Sequence, residues 1–171
     1  EIDKAPRDFP NDLLSELEEM FFRVPELGNV RIAAAPELQP VVVLTSNSEK
    51  DLPDAFLRRT VYYNIPFPER PRLEEIVAGR LGSWAGGSSE FLADALDVFF
   101  ELRRAGLRKK PATAELLGWL VSLRQLGGEA ENPLADEPRL ALDTLSNLIK
   151  TAEDQEAATR VVERWSERRS S

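Results

Sequence analysis

The stretch VVVLTSNSEKDLPDAFLRR, residues 41 to 59, joins a short apolar run to a polar triplet and a later pair of arginines. Val41 to Leu44 is apolar at every position, which predicts a strand covered on both faces, as in a parallel sheet. The triplet ending in Asn47 has an ordinary explanation, because Ser and Asn are turn formers that terminate strands. Alternatively, Asn47 at the carboxyl end of a buried strand offers its amide to a ligand, since open α/β sheets bind ligands there.

The composition restricts the chemistry that the chain can perform. Its 171 residues are 42% hydrophobic and 30% charged, which is the ordinary range for a soluble globular protein. Because it contains neither Cys nor His, disulfides, thiolate metal sites and imidazole bases are excluded. Catalysis would therefore rest on carboxylates, Lys, Arg and amides. The net charge of -8 argues against a broad nucleic-acid surface, since phosphate binding depends on Lys and Arg.

Neither a membrane span nor a secretion signal is predicted. No apolar run approaches the roughly 20 residues that a transmembrane helix needs. The first residue is Glu, and no basic stretch precedes an apolar one as it does in a signal peptide. We therefore expect a cytoplasmic location.

Hydrophobic periodicity divides the chain into a mixed first half and a helical second half. Residues 11–22 carry apolar side chains at helical spacing, and β-type runs follow at 30–34 and 40–45, compatible with a hairpin or two adjacent strands. Three prolines between residues 66 and 71 mark the expected domain boundary. The helices predicted after them lie at about 72–81, 89–104, 112–126, 138–150 and 154–168.

Charged residues could carry chemistry beside Asn47, although each also has a simpler explanation. Glu1 and Asp3 could supply a carboxylate beside Asn47 that orients and polarises a water for attack on a phosphorus centre, or could be surface charge. Arg58 and Arg59 could complement a helix dipole, or could form an arginine finger that stabilises a departing phosphoryl group. The basic residues between 103 and 110 form either a local anion-binding patch or a solvated loop.

The order of these features resembles the AAA+ ATPases, and within them the MoxR-like branch. EIDKAP, residues 1–6, looks like the end of the Walker B segment, and VVVLTSN, residues 41–47, looks like the sensor 1 strand. SEKDLPDAFLRR, residues 48–59, resembles the segment that closes with the arginine finger. GLRKKPATAELLGWL, residues 106–120, resembles the sensor 2 region that opens a lid helix. Residues 20–40 fall where such ATPases can carry a β-hairpin, or form an ordinary connection.

The resemblance implies an α/β fold class with two parts. Residues 1–67 would be the back half of a P-loop AAA+ core with a partial parallel sheet, and residues 68–171 an all-α lid subdomain. MoxR-like relatives usually remodel or activate other proteins, often as hexamers. The implied partners are therefore neighbouring subunits in a ring and an unidentified client protein. The implied cofactors are ATP and Mg²⁺, both in the complete protein.

The resemblance also implies catalytic roles, residue by residue. Glu1 would be the counterpart of the catalytic glutamate, and Asn47 would be the sensor 1 residue. Arg59 aligns best with the arginine finger, and Arg58 is the close second. The finger would reach the nucleotide of a neighbouring subunit, so each ring member would complete the next member's site.

The chain departs from the family pattern in two places. It contains no Gly-x-x-x-x-Gly-Lys-Ser/Thr P-loop and no aspartate before Glu1 to help hold Mg²⁺, so this polypeptide alone is not expected to hydrolyse ATP. At the sensor 2 position, Ala112 stands where many relatives have arginine. Lys110 or Lys109 could reach the γ-phosphate instead, Arg108 is a third candidate, and a solvated basic loop is the alternative.

The sequence leaves two classes of function open. The first is the ATP-hydrolysing part of a MoxR-like chaperone-type ATPase. The second is a non-catalytic, ATPase-derived module that docks partner proteins. A DNA-dedicated AAA+ motor is disfavoured by the acidic balance and by the lack of an aromatic and basic stripe.

Overall fold

A computed structural model describes residues 1–6, 8–47, 51–86 and 88–170. The chain divides into two compact units, Glu1–Pro66 and Phe67–Ser171, whereas the predicted boundary lay after residue 67. The described part is mostly helical and contains one two-stranded antiparallel sheet. Within these residues, no helix combines the length and the apolar character needed to traverse a bilayer.

The first unit opens with a 3-10 turn at Ile2–Lys4 and helix α1 at Phe9–Glu19. Helix α1 confirms the amphipathic helix predicted at 11–22, but its end was predicted wrongly. The helix stops because Met20 adopts a left-handed conformation, with φ of 51° and ψ of 38°. The two phenylalanines that follow Met20 therefore belong to the next element.

That next element is a β-hairpin, in which β1, Phe21–Val24, pairs antiparallel with β2, Val30–Ala33. Aromatic and β-branched side chains favour the strand conformation of both segments. Gly28 and Asn29 adopt left-handed φ values of 72° and 62°, which reverse the chain between them. The hairpin confirms the strand predicted at 30–34 but gives it a partner on its amino-terminal side.

The strand predicted at 40–45, and with it the partial parallel sheet, is not formed in the described part of the chain. Residues 41–47 are not assigned to a strand, and Val41 and Val43 are 93% and 81% exposed. A strand needs a hydrogen-bonded neighbour along its edge, and β2 pairs with β1 instead. The architecture observed is α-rich, and membership of an AAA+ core stays a prediction.

The core of the first unit is small. Helix α2, Asp54–Leu57, contributes Phe56, which packs with Ile2 and Leu14. Leu13 and Leu52 pack against this cluster and are half-buried. The large apolar side chains of residues 61–65 are exposed and do not contribute to this core.

The second unit consists of helices, four of which confirm the predicted positions. The break within the first of them lies at Gly82, where the backbone leaves helical geometry with φ of 61° and ψ of -164°. The helices are α3 Arg70–Gly86, α4 Ser89–Arg104, α5 Thr113–Leu126, α6 Pro133–Asp136, α7 Leu140–Asp143 and α8 Ala152–Ser170.

The single helix predicted at 138–150 is wrong. Helix α7 ends at Asp143, and a 3-10 turn follows at Leu145–Asn147. Between them, the buried Thr144 hydroxyl donates to the Leu140 carbonyl and accepts the Trp119 indole N–H at 2.7 Å. The hydrogen bond from Trp119 is a tertiary contact that holds Thr144 where a continuous helix would have to pass. The bond from Thr144 to Leu140 is common for a Thr in a helix, which often bonds to the preceding turn.

Apolar faces of the helices meet in one continuous core in the second unit. Helix α4 contributes Phe91, Leu96 and Phe99 at helical spacing, all fully buried. Helix α5 contributes Trp119, and helix α8 contributes Trp165, to the same cluster. Trp119 and Trp165, two of the three tryptophans in the chain, are thus core residues.

A buried carboxylate links three of these helices. Asp94 on α4 is 6% exposed and accepts the side-chain amide of Asn132 at 2.7 Å. The same carboxylate pairs with Arg169 on α8 at 2.6 Å. The Asn132 side-chain oxygen in turn accepts the Ala135 N–H and caps helix α6. Removing Asp94 would leave a buried amide without its acceptor.

We predict that Asp94→Ala destabilises the second unit by about 2 kcal/mol, because the buried Asn132 amide loses its partner. Asp97→Ala is the matched control, since Asp97 lies on the same helix, is 52% exposed and pairs with Arg70. Its loss should cost less than about 1 kcal/mol. Urea denaturation of both variants, followed by tryptophan fluorescence, measures the difference. Equal losses would contradict the structural role of Asp94.

Candidate functional site

Residues 1–3 lie beside residues 45–47 in the first unit. The Ile2 N–H donates to the Thr45 carbonyl at 2.9 Å, and the backbone nitrogen of Glu1 donates to the Thr45 hydroxyl at 2.9 Å. The Asn47 N–H donates to Asp3 Oδ2 at 3.2 Å. The pairs Glu1–Thr45 and Asp3–Asn47 are each 44 residues apart in sequence. The Walker B-like and sensor 1-like segments are therefore neighbours.

The local fold of residues 2–5 explains why Asp3 reaches Asn47. Ile2 and Asp3 are 8% and 2% exposed, so the 3-10 turn packs its apolar and acidic side chains inward. The Ile2 carbonyl accepts the Ala5 N–H within that turn. The carboxylate of Asp3, rather than a carbonyl of the turn, then supplies the acceptor for Asn47. A charged acceptor makes this hydrogen bond stronger than a neutral one would be.

The two side chains predicted to act on a water are both accessible. The Glu1 side chain is 62% exposed and pairs with Lys4 at 3.1 Å. Asn47 is exposed, while its backbone N–H is fixed by Asp3. The structure thus restrains the backbone of both residues and leaves the carboxylate and the amide open to solvent. Each group can therefore contact a ligand at the surface of the unit.

The two arginine-finger candidates follow helix α2 and differ in their contacts. The Arg59 guanidinium forms an ion pair with Glu18 of α1 and donates to the Ala55 carbonyl at 3.1 Å. Arg58 is exposed, and its guanidinium has no recorded partner among the described residues. Residues 48–50, which begin the segment that resembles the arginine-finger region, lie outside the described residues. Arg59 would have to leave Glu18 to reach another subunit, and an exposed ion pair of this kind costs little to break.

In the second unit, a buried aspartate holds the segment that carries the predicted phosphate-binding lysines. Asp154 on α8 is 5% exposed and accepts the N–H groups of Arg108 and Lys109, both at 2.9 Å. It also accepts the Thr151 hydroxyl at 2.7 Å. The side chains of Arg108, Lys109 and Lys110 are exposed. The backbone is therefore tied inward while the cationic groups face solvent.

These hydrogen bonds also determine the acidity of Asp154. The Thr151 hydroxyl contributes most to lowering the pKa of Asp154, followed by the amides of Lys109 and Arg108. Burial opposes them, and the positive charge of Arg108 adds to them. Hydrogen bonds that favour the charged form of a carboxyl lower its pKa. Asp154 is thus a stable anion that binds backbone donors.

The far end of the same segment is anchored as well. The Arg103 guanidinium donates to the Pro111 carbonyl and lies 3.3 Å from the centroid of the Phe67 ring. Burial lowers the pKa of Arg103, which nonetheless stays a cation near neutral pH. The Ala112 N–H donates to Glu115 Oε2 at 3.1 Å, which satisfies a free amide at the start of α5.

The sequence did not predict which groups Asp3, Glu18 and Asp154 bind, although it offered Asp3 as an acid beside Asn47. The T-x-x-D pattern at residues 151–154 indicates a helix start. It does not reveal that the carboxylate turns to an amide 46 residues away. Such contacts are set by the packing of helices, so single-sequence patterns carry no signal for them.

The structure also tests whether these residues could hold a metal ion. Across the described ranges, no group of three or more His, Cys, Asp or Glu side chains is placed to do so.

Comparisons with known proteins returned no match: no family model, no curated protein and no solved structure matches this chain. The resemblance to AAA+ ATPases consequently rests on the sequence motifs alone.

We predict that Thr151→Val raises the pKa of Asp154, because it removes the hydroxyl that lowers it most. A carboxyl whose pKa is lower in the folded state stabilises the fold above its unfolded-state pKa, and this contribution is lost as the pH falls through the folded-state pKa. On acidification the variant should therefore lose stability at a higher pH than the wild type.

Carboxyl ¹³C NMR titration measures the pKa, and urea denaturation between neutral pH and pH ~3 measures the stability. Thr159→Val is the control, since Thr159 lies on α8, as Asp154 does, and forms no hydrogen bond with Asp154 among the described residues. An Asp154 pKa that is the same in Thr151→Val and wild type would show that another group sets it.

Proposed function

We propose that this chain is the ATP-hydrolysing part of a MoxR-like AAA+ ATPase that works as a ring and remodels or activates partner proteins. The observation that carries the proposal is the set of hydrogen bonds between residues 1–3 and 45–47. These bonds support it because they join the two segments, one Walker B-like and one sensor 1-like, that the resemblance assigns to a single nucleotide site. The two segments were assigned to that site from sequence order alone.

In the proposed reaction, Glu1 and Asn47 act on the same water. The Glu1 carboxylate orients the water and accepts its proton as the oxygen attacks the γ-phosphorus. The bond to the bridging oxygen breaks, and its electron pair leaves with ADP. Asn47 can accept a hydrogen bond from the water and donate one to a phosphoryl oxygen. The exposed position of both side chains supports these roles.

An arginine from the neighbouring subunit stabilises the charge on the departing phosphoryl group. A guanidinium suits this task because it is planar, always charged and able to bond two oxygens. Arg59 remains the first candidate. To bind a phosphate of the neighbouring subunit's nucleotide, Arg59 would break its ion pair with Glu18 and form one between subunits. Arg58 requires no such exchange, since its guanidinium has no recorded partner in the described chain.

Exposed apolar runs support a further part of the proposal, which is that a P-loop half completes the first unit. Val41 and Val43 are 93% and 81% exposed, and Val61 and Ile65 are similarly open at 101% and 81%. Apolar runs of this kind are typical of strands covered on both faces. Strands and helices of a P-loop half would remove this surface from water, and that half would also supply the phosphate-binding lysine.

One observation favours the alternative, a non-catalytic module that docks partner proteins. Phe22 lies opposite Ile32 in the hairpin, and both are close to half exposed, at 46% and 45%. Val30 lies on the same face, because side chains of a strand alternate with a period of two. A hairpin with an exposed apolar face is suited to bind a protein. Such a module would not depend on Glu1 or Asn47.

We predict that Glu1→Gln, in the complete protein with its P-loop half, binds ATP but hydrolyses it about 10²- to 10⁴-fold more slowly. Glu37→Gln is the control, because Glu37 is an exposed acid of the same unit in the turn Pro36–Leu38. Steady-state phosphate release measures turnover, and retention of labelled ATP measures binding. Normal turnover of Glu1→Gln would rule out the assigned role and favour the docking module.

We predict that Arg59→Ala lowers turnover about 10³-fold or more while nucleotide affinity changes little. Rings mixed from Arg59→Ala and Glu1→Gln subunits should regain activity, because an intact Glu1 would then meet an intact Arg59 of its neighbour. Arg58→Ala, measured in parallel, compares the two candidates. Mixed rings that stay inactive would contradict action between subunits.

A further inference from the structure

One face of the β-hairpin carries two arginines that stack on the same aromatic ring. Arg23 and Arg31 stand opposite each other in the register of β1 and β2, and both are exposed. Their guanidinium carbons lie 5.8 and 4.1 Å from the centroid of the half-buried Phe21 ring. Sharing one ring brings the two positive charges to the same place on the hairpin. We call this surface, formed by Phe21, Arg23 and Arg31, the arginine face.

The arginine face is a repulsive arrangement within the chain. Like charges directly opposite each other in an antiparallel pair destabilise a sheet. Among the described residues, no carboxylate forms an ion pair with Arg23 or Arg31, and this includes Glu26, the one acid within residues 21–33. The Arg23 guanidinium donates to the Asn29 carbonyl at 3.4 Å, which orients the group and leaves its charge uncompensated. An anionic surface from outside the hairpin would relieve this repulsion.

Helix α1 of the same unit presents the opposite charge. Asp12, Glu16 and Glu19 follow one another at spacings of four and three residues, so they lie along one stripe of the helix. All three are exposed, and none forms an ion pair within the part of the chain that the structure describes. Like charges at these spacings repel one another, and the last turn of α1 has no basic residue to complement the helix dipole. We call this surface the acidic stripe.

We infer that the arginine face docks on the acidic stripe of a second copy of this chain. Each surface is repulsive by itself, and each supplies the charge that the other lacks. Guanidinium groups suit such a contact, because a planar guanidinium binds a carboxylate through two parallel hydrogen bonds. Complementary charges also fix the register of two surfaces that meet. The docked arrangement therefore neutralises two sets of charges that the fold of one chain leaves unpaired.

The observations favour an acidic protein surface over a nucleic acid as the occupant. Proteins that bind single strands combine a long cationic groove with aromatic rings that are free to stack on bases. Here the Phe21 ring is already covered by Arg31, and the face offers two cations. Phe22 and Ile32 lie on the other face of the hairpin, because side chains alternate along a strand. Docking of the arginine face thus leaves that apolar face open.

The contact can repeat from copy to copy. The arginine face and the acidic stripe lie on different elements, so a copy that docks its hairpin on one neighbour still offers its own helix α1 to another. A heterologous contact of this kind closes into a ring when the rotation between copies allows it. This extension to a ring rests on the proposed function, whereas the contact itself rests on the unpaired charges.

Sedimentation velocity of the full chain over a concentration series measures the self-association. Arg23→Glu combined with Arg31→Glu should weaken it about tenfold or more, because like charges would then face each other across the contact. Arg80→Glu combined with Arg104→Glu is the matched control. Arg80 and Arg104 are exposed arginines of the second unit without an ion pair among the described residues, and their reversal changes the net charge equally. The control should associate as the wild type does.

Exchange of charge between the two surfaces is the sharper measurement. Glu16→Arg combined with Glu19→Arg makes the stripe basic and keeps residues that favour a helix. This variant and the Arg23→Glu, Arg31→Glu variant should each stay monomeric, because both surfaces of each variant then carry the same sign. An equimolar mixture of the two should associate, since each reversed surface meets an opposite charge on the other variant. Labelling one variant with a fluorophore detects the mixed species.

Arg23→Gln combined with Arg31→Gln keeps the test decisive if the charge reversal does not fold. This milder variant removes the positive charges without adding negative ones, and it should weaken association less than the reversal does. Amide hydrogen exchange of residues 21–33 shows whether the hairpin is still formed in each variant. Loss of association with an intact hairpin supports the contact.

Several outcomes would overturn the inference. These are a wild-type chain that stays monomeric, a control that loses association as the hairpin variant does, or a mixture of folded variants that stays monomeric. Binding of an oligoglutamate peptide or of single-stranded DNA to the arginine face, without self-association, would identify another occupant and would also overturn it. Self-association requires neither nucleotide nor Glu1. Normal turnover of Glu1→Gln would therefore refute the proposed reaction and leave the contact standing, and the reverse result is equally distinguishable.

Discussion

Buried aspartates that accept backbone amides hold the candidate functional segments in both units. Asp3 binds the Asn47 N–H, and Asp154 binds the N–H groups of Arg108 and Lys109, across 44, 46 and 45 residues of sequence. A carboxylate suits this task because it is a charged acceptor with several lone pairs. In the low dielectric of a protein interior such bonds are strong, and losing one leaves a polar group unsatisfied. Each aspartate therefore determines where a distant loop lies.

The functional consequence is that side chains near these anchors face solvent. The anchored backbone around Asn47 leaves its amide exposed, and the anchored basic loop, residues 107–112, leaves two lysines exposed. Neither segment belongs to a regular strand or helix in the described chain, so the aspartates supply the restraint that a sheet or helix would otherwise give. Preorganised donors of this kind are useful for binding anions, because little ordering is left to be done when the ligand arrives.

Local signals in the sequence predicted much of the helical unit. The apolar spacing of α4, with Phe91 and Phe99 on one stripe, was sufficient because burial of one face is what makes a surface helix. The long helix predicted at 138–150 failed because the hydrogen bond from Trp119 to Thr144 is a tertiary contact. The pairing of residues 30–34 with 40–45 failed for the same kind of reason, since strand propensity does not identify which neighbour is bonded. The hairpin expected within residues 20–40 is present.

The same distinction between local signals and tertiary contacts applies to the candidate site. From the order of the motifs, the sequence by itself determined which residues are candidates for the chemistry: Glu1, Asn47, Arg58, Arg59, Lys109 and Lys110. Only the tertiary structure decided that residues 1–3 lie beside residues 45–47, that Arg59 is engaged by Glu18, and that Asp154 holds the basic loop. The physical reason is that residue type and spacing encode local periodicity and functional groups. Contacts between distant segments depend instead on how buried faces fit together in three dimensions.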